Sequence, residues 1–304
     1  MASTRIPEIT SWQGILWPQV EAKVHALQRR IYRAEQLGQR REVRSLQRLL
    51  LRSRSAKLLA VRRVTQDNQG KQTAGIDGIT VLEPEDRCQL VQELTLDKPA
   101  QPLRRVWIPK PGTAEQRPLG IPVIADRAAQ ALAKLALEPQ WEARFEANSY
   151  GFRPGRACHD ALEALFRVIR GKPKAVLDAD IAKCFDRIDQ GALLDKIDTF
   201  PSLRRALKGW LQAGILDGGQ LFPTEAGTPQ GGVMTPPTMW QKAPFGALNK
   251  RGGIHPVDDS GILFANFDPL HQHADNLATR GPARRVQPLG HALGKLLQAA
   301  DHQA

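Results

Sequence analysis

The chain is 304 residues long, carries a formal net charge of +12, and is 41% hydrophobic. Its hydrophobic content is sufficient for a packed core, but no apolar run approaches the ~20 residues that cross a bilayer, which argues against a membrane protein. The N-terminus also lacks the pattern of a secretory signal. Three scattered cysteines without metal-site spacing favour a reducing, cytoplasmic location.

The excess positive charge is concentrated near the N-terminus, where residues 21–63 carry thirteen Lys or Arg against three Glu. Apolar residues recur every three or four positions on both sides of Gly38, which predicts two amphipathic helices. In the second helix, Val43, Leu46, Leu49 and Leu50 are predicted to face inward. Such a basic surface is typical of a protein that binds a polyanion, although a solvated helix face is the alternative. The arginines that we assign to a phosphate backbone are Arg29, Arg30, Arg33, Arg40, Arg41, Arg44, Arg48 and Arg52.

A β-hairpin is predicted further along the chain, with strands over residues 104–108 and 117–121. Lys110 and Arg117 lie on the two sides of its turn. They either converge on one anion or are ordinary surface charges beside a turn. A long helix is predicted over residues 126–144, with its apolar residues at helical spacing.

The stretch AVLDADIAKCFDRID, residues 175–189, combines the end of an apolar run with several acids. An apolar run of this length predicts the end of a buried strand, which would place Asp180 at a sheet edge. Carboxylate oxygens suit Mg²⁺, so Asp180 is a candidate metal ligand, and Phe185 would stand near a bound sugar. The alternative is that the acids cap helices or are solvated. A later glycine-rich loop over residues 225–233 contains Gln230, which can both donate and accept hydrogen bonds.

Five motifs in this order carry a resemblance to a known family: KQTAGIDG, RRVWIPKPGTAEQRPLGIP, DRAAQALAKLALEPQWEARFEANSYGFRPGRACHDA, VLDADIAKCFDRID and GTPQGGV. From about Trp12 to Val233 the chain resembles the reverse transcriptases, or maturases, encoded by group II introns. The resemblance implies an α+β right-hand polymerase fold with fingers and a partial palm. Residues 1–80 would be a basic helical N-terminal extension and 81–233 the fingers and palm. Residues 234–304 would be a divergent, poorly ordered tail.

The resemblance also implies RNA-directed DNA polymerisation, an in-line nucleotidyl transfer assisted by two Mg²⁺ ions. The partners would be template or intron RNA, a DNA primer and deoxynucleotides. Asp180 is similar to the first catalytic aspartate, which binds both metals, and Ile181 to a residue whose backbone oxygen binds metal. The residues similar to nucleotide contacts are Lys110 and Arg117 for the triphosphate, Phe185 for exclusion of a 2′-hydroxyl, and Gln230 against the nucleotide.

The sequence departs from the family after Val233. The family places a second acidic motif, Tyr-x-Asp-Asp, on a palm hairpin, but the tyrosines of this chain are Tyr32 and Tyr150. Asp258 and Asp259 faintly resemble that hairpin, with Pro256 where the tyrosine belongs, or they are a turn pair in the tail. The family's thumb and maturase domain are also missing. We hypothesise truncation or a frameshift near Val233, which translation of the other two reading frames tests.

Three interpretations therefore remain. The first is a reverse transcriptase that polymerises little or not at all as this chain alone. The second is a catalytically inactive remnant that binds intron RNA through its basic N-terminal helices. The third is an unstable pseudogene product whose open palm leaves apolar surface uncovered.

Overall fold

The computed structural model describes residues 11–109, 112, 114, 116–171 and 187–228. These residues divide into two compact units. The first comprises residues 11–109, 116–145 and 187–228, and the second comprises residues 112, 114 and 146–171. The predicted tail over residues 234–304 lies outside the described residues.

Three helices open the first unit: α1 spans Trp17–Gln36, α2 spans Arg40–Arg52 and α3 spans Arg54–Arg62. Gly38 separates the first two with a φ of 68°, which confirms the predicted break, because glycine adopts the left-handed region without a steric cost.

The buried side of α2 is shifted from the predicted one. Val43, Leu46 and Leu50 are buried as predicted, but the prediction was wrong for Leu49, which is 51% exposed. Gln47 and Leu51 are buried instead. The reason is the helical period: each residue turns the helix by about 100°, so Leu49 points well away from the face that Val43 and Leu50 share.

A short irregular region follows α3. One wide π-helical turn spans Arg63–Asp67, and a 3₁₀ turn spans Gln69–Gln72. A loop then leads to α4, Pro84–Glu93. Proline in the first turn suits this helix, because its missing N–H is one that a helix start leaves unpaired.

A four-stranded mixed sheet belongs to the same unit, with strand order β2-β1-β3-β4. Strands β1, Leu103–Pro109, and β2, Gln116–Ile121, are antiparallel and confirm the predicted hairpin. Strand β3, Ile215–Asp217, pairs in parallel with β1, and β4, Gln220–Phe222, pairs antiparallel with β3. Helices together with this small sheet confirm the predicted α+β class.

Helix α5, Ile124–Glu142, lies at the centre of the core, and most of its residues are buried. Its predicted apolar face is confirmed, because Ala128, Leu132 and Leu135 are at most 1% exposed. The buried Gln140 side chain of α5 accepts a hydrogen bond of 2.8 Å from Gln47 of α2. This pair links two helices through the core.

Two further helices complete the first unit: α7 spans Gln190–Ile197 and α8 spans Pro201–Leu211. Asp189 caps the N-terminus of α7, because its carboxylate accepts a hydrogen bond from the Ala192 N–H at 2.6 Å. Asp198 ends it in the left-handed region, with a φ of 44°. Because the left-handed conformation is uncommon for a residue other than glycine, the turn at Asp198 needs support from its surroundings.

The second unit contains α6, Cys158–Ile169. The Asp160 carboxylate accepts a hydrogen bond of 2.7 Å from the Ala157 N–H at the helix start. Arg153 is buried and donates to the carbonyls of Glu146 and Ser149, so it fixes the turn before this helix. No helix among the residues described in either unit is long and apolar enough to cross a membrane.

Candidate nucleic-acid interface

The eight arginines assigned to a phosphate backbone all lie on α1 and α2, but they divide into groups. Arg44 forms a 2.9 Å ion pair with Asp198, and Arg40 lies 3.9 Å from the same carboxylate. The Arg48 guanidinium sits 4.6 Å from the centre of the Phe200 ring, in cation–π geometry. We call Arg40, Arg44 and Arg48 the docked set, because they hold α2 to the connection between α7 and α8.

The remaining arginines point to solvent. Arg30 pairs with Glu42 at 3.6 Å, an exposed contact that joins α1 to α2. The other four are exposed and form no ion pair with any residue that the structure describes. We call these four the outward set: Arg29, Arg33, Arg41 and Arg52. Unpaired guanidinium groups are available to phosphate oxygens without first breaking an internal contact.

The hairpin carries a second basic side chain on the same face as Arg117. Arg117 is exposed on β2 opposite Ile108, and Arg104 of β1 is opposite Ile121. Because side chains alternate along a strand and paired residues share a face, Arg104 and Arg117 lie on the same face of the hairpin. Arg104 was not among the predicted site residues, although its spacing of four residues from Ile108 along the predicted strand indicates a shared face. Lys110 lies outside the described residues, so its convergence with Arg117 stays a prediction.

The loop before α4 is fastened to the core by Arg127. This side chain donates from Nε to the Pro122 carbonyl at 2.8 Å and from Nη1 to the Gly70 carbonyl at 3.1 Å, and Nη2 donates to the Thr73 carbonyl. Burial lowers the pKa of Arg127 below its usual value, and the charge of Arg104 acts in the same direction.

Most of the residues assigned to metal and nucleotide chemistry are not among those described. Asp180, Ile181, Phe185, Gln230, Asp258 and Asp259 all lie outside the described residues. Within the described ranges, no group of three or more His, Cys, Asp or Glu side chains is placed to hold a metal ion. The assignments to these positions therefore stay predictions.

One buried acid in the first unit has a structural role. Asp126 accepts a hydrogen bond of 2.9 Å from the Gln101 N–H and another from the Trp210 side chain, so it joins α5 to α8. Burial raises the pKa of Asp126, and these two hydrogen bonds partly offset the increase. Its carboxylate is occupied by protein donors rather than directed at a ligand.

The beginning of the glycine-rich loop is described as far as Thr228. It is held by Gln190, the first residue of α7, which sequence analysis missed. The Gln190 Nε2 donates to the carbonyls of Leu211, Thr224 and Gly227 at 3.2, 3.4 and 3.1 Å. No pattern in the sequence distinguishes this glutamine from one that begins a helix at the surface.

Comparison with known proteins gives two family matches. The N-terminal domain of reverse transcriptase matches residues 12–94. The reverse transcriptase (RNA-dependent DNA polymerase) domain matches residues 108–245. This match extends past Val233, the residue at which the five sequence motifs stop. The two matches follow one another along the chain and together include most of it.

Three relatives illustrate the similarity. The group II intron-encoded protein LtrA of Lactococcus lactis subsp. cremoris is 35% identical over 177 residues, which cover 56% of this chain and 29% of LtrA. Protein YkfC of Escherichia coli (strain K12) is 33% identical over 187 residues, or 57% of this chain and 49% of YkfC. Maturase-like protein 1 of Euglena gracilis is 27% identical over 205 residues, which cover 62% of this chain and 43% of that relative. The chain thus spans between 29% and 49% of the length of these relatives.

Proposed function

Because this chain belongs to the reverse transcriptase family, we propose that it provides the fingers and part of the palm of an RNA-directed DNA polymerase of the group II intron type. The observation that carries this proposal is the succession of the N-terminal and polymerase domain matches along one chain. The group II intron and maturase relatives support RNA as the partner. A cytoplasmic location is part of the proposal and is supported by the free thiols of Cys88 and Cys158.

We assign the chemistry to residues that resemble the family's site. The Asp180 carboxylate and the Ile181 backbone carbonyl are hard oxygen donors, and this donor chemistry fits Mg²⁺. When bound, Mg²⁺ would supply activation of the primer 3′-hydroxyl and stabilisation of the leaving pyrophosphate. Lys110 and Arg117 would bind the triphosphate, while Phe185 and Gln230 would contact the sugar and the nucleotide. In this assignment, Phe185 favours deoxynucleotides by occupying the space of a 2′-hydroxyl.

Primer extension on an RNA template with Mg²⁺ and deoxynucleotides tests the polymerase directly, with Asp180→Ala as the control. We expect extension at background level from this chain alone, because the sequence contains no Tyr-x-Asp-Asp and one aspartate holds two metal ions poorly. Extension that Asp180→Ala abolishes would contradict this expectation. It would instead assign Asp258 and Asp259 to the completed site.

A second function, RNA binding without chemistry, is favoured by the outward set. These four arginines are exposed and free of ion pairs with described residues, whereas the docked set is already engaged within the protein. We propose that intron or template RNA contacts the outward set through its phosphates. The docked set contributes mainly to folding.

A pair of charge-neutralised variants separates these roles. In the first, all four outward arginines are changed to Gln. In the second, the three docked arginines are changed to Gln. We expect the first variant to lose RNA affinity while keeping its unfolding midpoint, and the second to lose stability. Asp180→Ala should retain RNA binding. Equal loss of affinity in both variants, measured where both are folded, would contradict this assignment.

A further inference from the structure

We propose that Asp198 is an internal substitute for an RNA phosphate, and that its carboxylate withholds Arg40 and Arg44 from RNA. The carboxylate belongs to the turn after α7, whereas the two arginines lie four residues apart on α2. The inference rests on the proposed RNA binding, because it concerns arginines that would otherwise add to the outward set. The contacts that carry it all join described residues of the first unit.

Each carboxylate oxygen of Asp198 faces a different guanidinium group. Oδ1 accepts a hydrogen bond from Nη2 of Arg44 at 2.9 Å, and Oδ2 lies 3.9 Å from Nη1 of Arg40. The Asp198 backbone carbonyl accepts a second, longer hydrogen bond from Arg44 at 3.3 Å. A phosphodiester group also presents anionic oxygens to which arginine donates charge-assisted hydrogen bonds. The carboxylate therefore occupies the place that a phosphate of RNA would otherwise take between these two arginines.

The local backbone does not by itself favour an acid at position 198. Asp198 lies in the left-handed region, with a φ of 44°, where glycine is the usual residue at a helix end. It also follows the last turn of α7, where the negative end of the helix dipole disfavours a carboxylate. The interactions in the described part of the chain that favour this carboxylate are those with the arginines of α2.

The three side chains are open to a large ligand. Arg40, Arg44 and Asp198 are 76%, 38% and 50% exposed, so RNA reaches them without a change in the fold. An exposed ion pair contributes little to stability. Its effect on an incoming anion is larger, because a carboxylate attached to the same protein competes at a high effective concentration. Asp198 thus restricts RNA binding more than it stabilises the protein.

The test compares Asp198→Asn with Asp195→Asn. Each change removes one negative charge, but Asp195 pairs with Arg204 of α8 rather than with α2. Asparagine keeps an acceptor for Arg44 and tolerates the left-handed region, so the unfolding midpoint should change little.

Fluorescence anisotropy measures affinity for a labelled single-stranded RNA over a range of KCl concentrations. We expect Asp198→Asn to bind roughly 5-fold more tightly than the wild type at about 100 mM KCl, with a salt slope steeper by about 0.7, the value for one added phosphate contact. Asp195→Asn should keep the wild-type slope. Unchanged or weaker binding by Asp198→Asn would overturn the inference. Equal gains in both variants would also overturn it, because net charge alone would then explain them.

A second comparison asks whether the gain depends on the two arginines. In a folded chain that carries Arg40→Gln and Arg44→Gln, Asp198→Asn should no longer tighten RNA binding, because the guanidinium groups that it would release are absent. A gain that persists in this background would contradict the role given to Asp198.

The outcomes separate this inference from the function on which it rests. A wild-type chain that binds no RNA would overturn the proposed RNA binding and this inference with it. RNA binding by the wild type without a gain in Asp198→Asn would overturn this inference alone. If Asp198→Asn does not fold, Asp198→Gly provides the same test, since glycine adopts a φ of 44° without a steric cost and removes the carboxylate.

Discussion

Asp126 and Arg127, neighbours at the start of α5, hold together elements that are distant in the sequence. Asp126 receives hydrogen bonds from Gln101 and Trp210, and Arg127 donates to the loop carbonyls of Gly70 and Thr73. Both side chains are buried, so each contact is made away from water. Removing one partner of such a contact leaves a buried polar group unsatisfied, which costs more than the contact itself contributes.

Arg127→Met should lower the free energy of unfolding by roughly 2–4 kcal/mol, because carbonyls of Gly70, Thr73 and Pro122 lose their donor. Urea unfolding followed by circular dichroism measures the change. Arg205→Met is the matched control, since Arg205 is exposed on α8, and it should alter stability by less than about 0.5 kcal/mol. A similar loss in both variants would contradict the role given to Arg127.

Asp126→Asn should change the pH dependence of stability. The pKa of Asp126 is raised above its usual 3.8, so the folded protein binds this proton more tightly than the unfolded chain does. The resulting stabilisation is fully present below pH 3.8 and is lost as the pH rises through the folded pKa. As the pH rises through the folded-state pKa of Asp126, we therefore expect the wild type to lose stability relative to Asp126→Asn.

Urea unfolding of both proteins from pH 3.5 to 7.5 measures this difference. Burial also raises the pKa of Glu138, so only the difference between the two proteins isolates Asp126. Parallel stability curves over the whole range would show that Asp126 does not titrate as described.

Among the elements, the hairpin and the N-terminal helices were predictable because apolar periodicity records which side of a helix or strand is buried. The error at Leu49 also comes from periodicity. Residues 49–51 are all leucine, so the pattern does not show which of them faces the core. The docking of Arg44 onto Asp198 was not predictable. The two residues are separated by 154 positions, and periodicity identifies faces rather than partners.

Substitution by alanine should change the stability in opposite directions at two glycines, one in a loop and one in a helix. A Cβ on Gly75 would lie 2.6 Å from the Val123 Cα, so Gly75→Ala requires backbone movement and should cost roughly 1–3 kcal/mol. A Cβ on Gly209, within α8, would lie an ordinary 3.8 Å from the Ala100 Cβ. Gly209→Ala should stabilise the helix by about 0.5–1 kcal/mol. Thermal unfolding of both variants decides this, and a stabilised Gly75→Ala would contradict the close approach.

At the scale of the whole molecule, the charge predicted a polyanion partner, and the family match supports RNA. The sequence did not show which arginines are available, because that depends on where Asp198 and Phe200 lie in the fold. Of the residues assigned to nucleotide contact, Arg117 is described, on the hairpin where it was predicted. The catalytic assignments rest on motif resemblance and stay predictions.

The salt dependence of RNA binding should show how many phosphate contacts the outward set makes. Each neutralised phosphate contact on single-stranded RNA changes the slope of log affinity against log salt concentration by about 0.7. Replacing Arg29, Arg33, Arg41 and Arg52 by Gln should therefore make the slope shallower by about 3, if each contacts one phosphate. Fluorescence anisotropy between 50 and 300 mM KCl measures it. An unchanged slope would place the RNA on another surface.

The parallel pairing of β1 with β3 joins Leu103 to Ile215, positions far apart in the chain. In contrast, α1, α2 and α3 make contacts between neighbours in sequence, which form rapidly because the loops to be closed are short. On the ribosome, α1, α2, α3 and the β1–β2 hairpin are therefore synthesised while β1 still presents an unpaired edge. Pairing of this edge waits for translation of residues 215–217, which form β3. During that interval, the unpaired β1 edge can pair with another chain, so this part of the nascent chain needs protection by a chaperone.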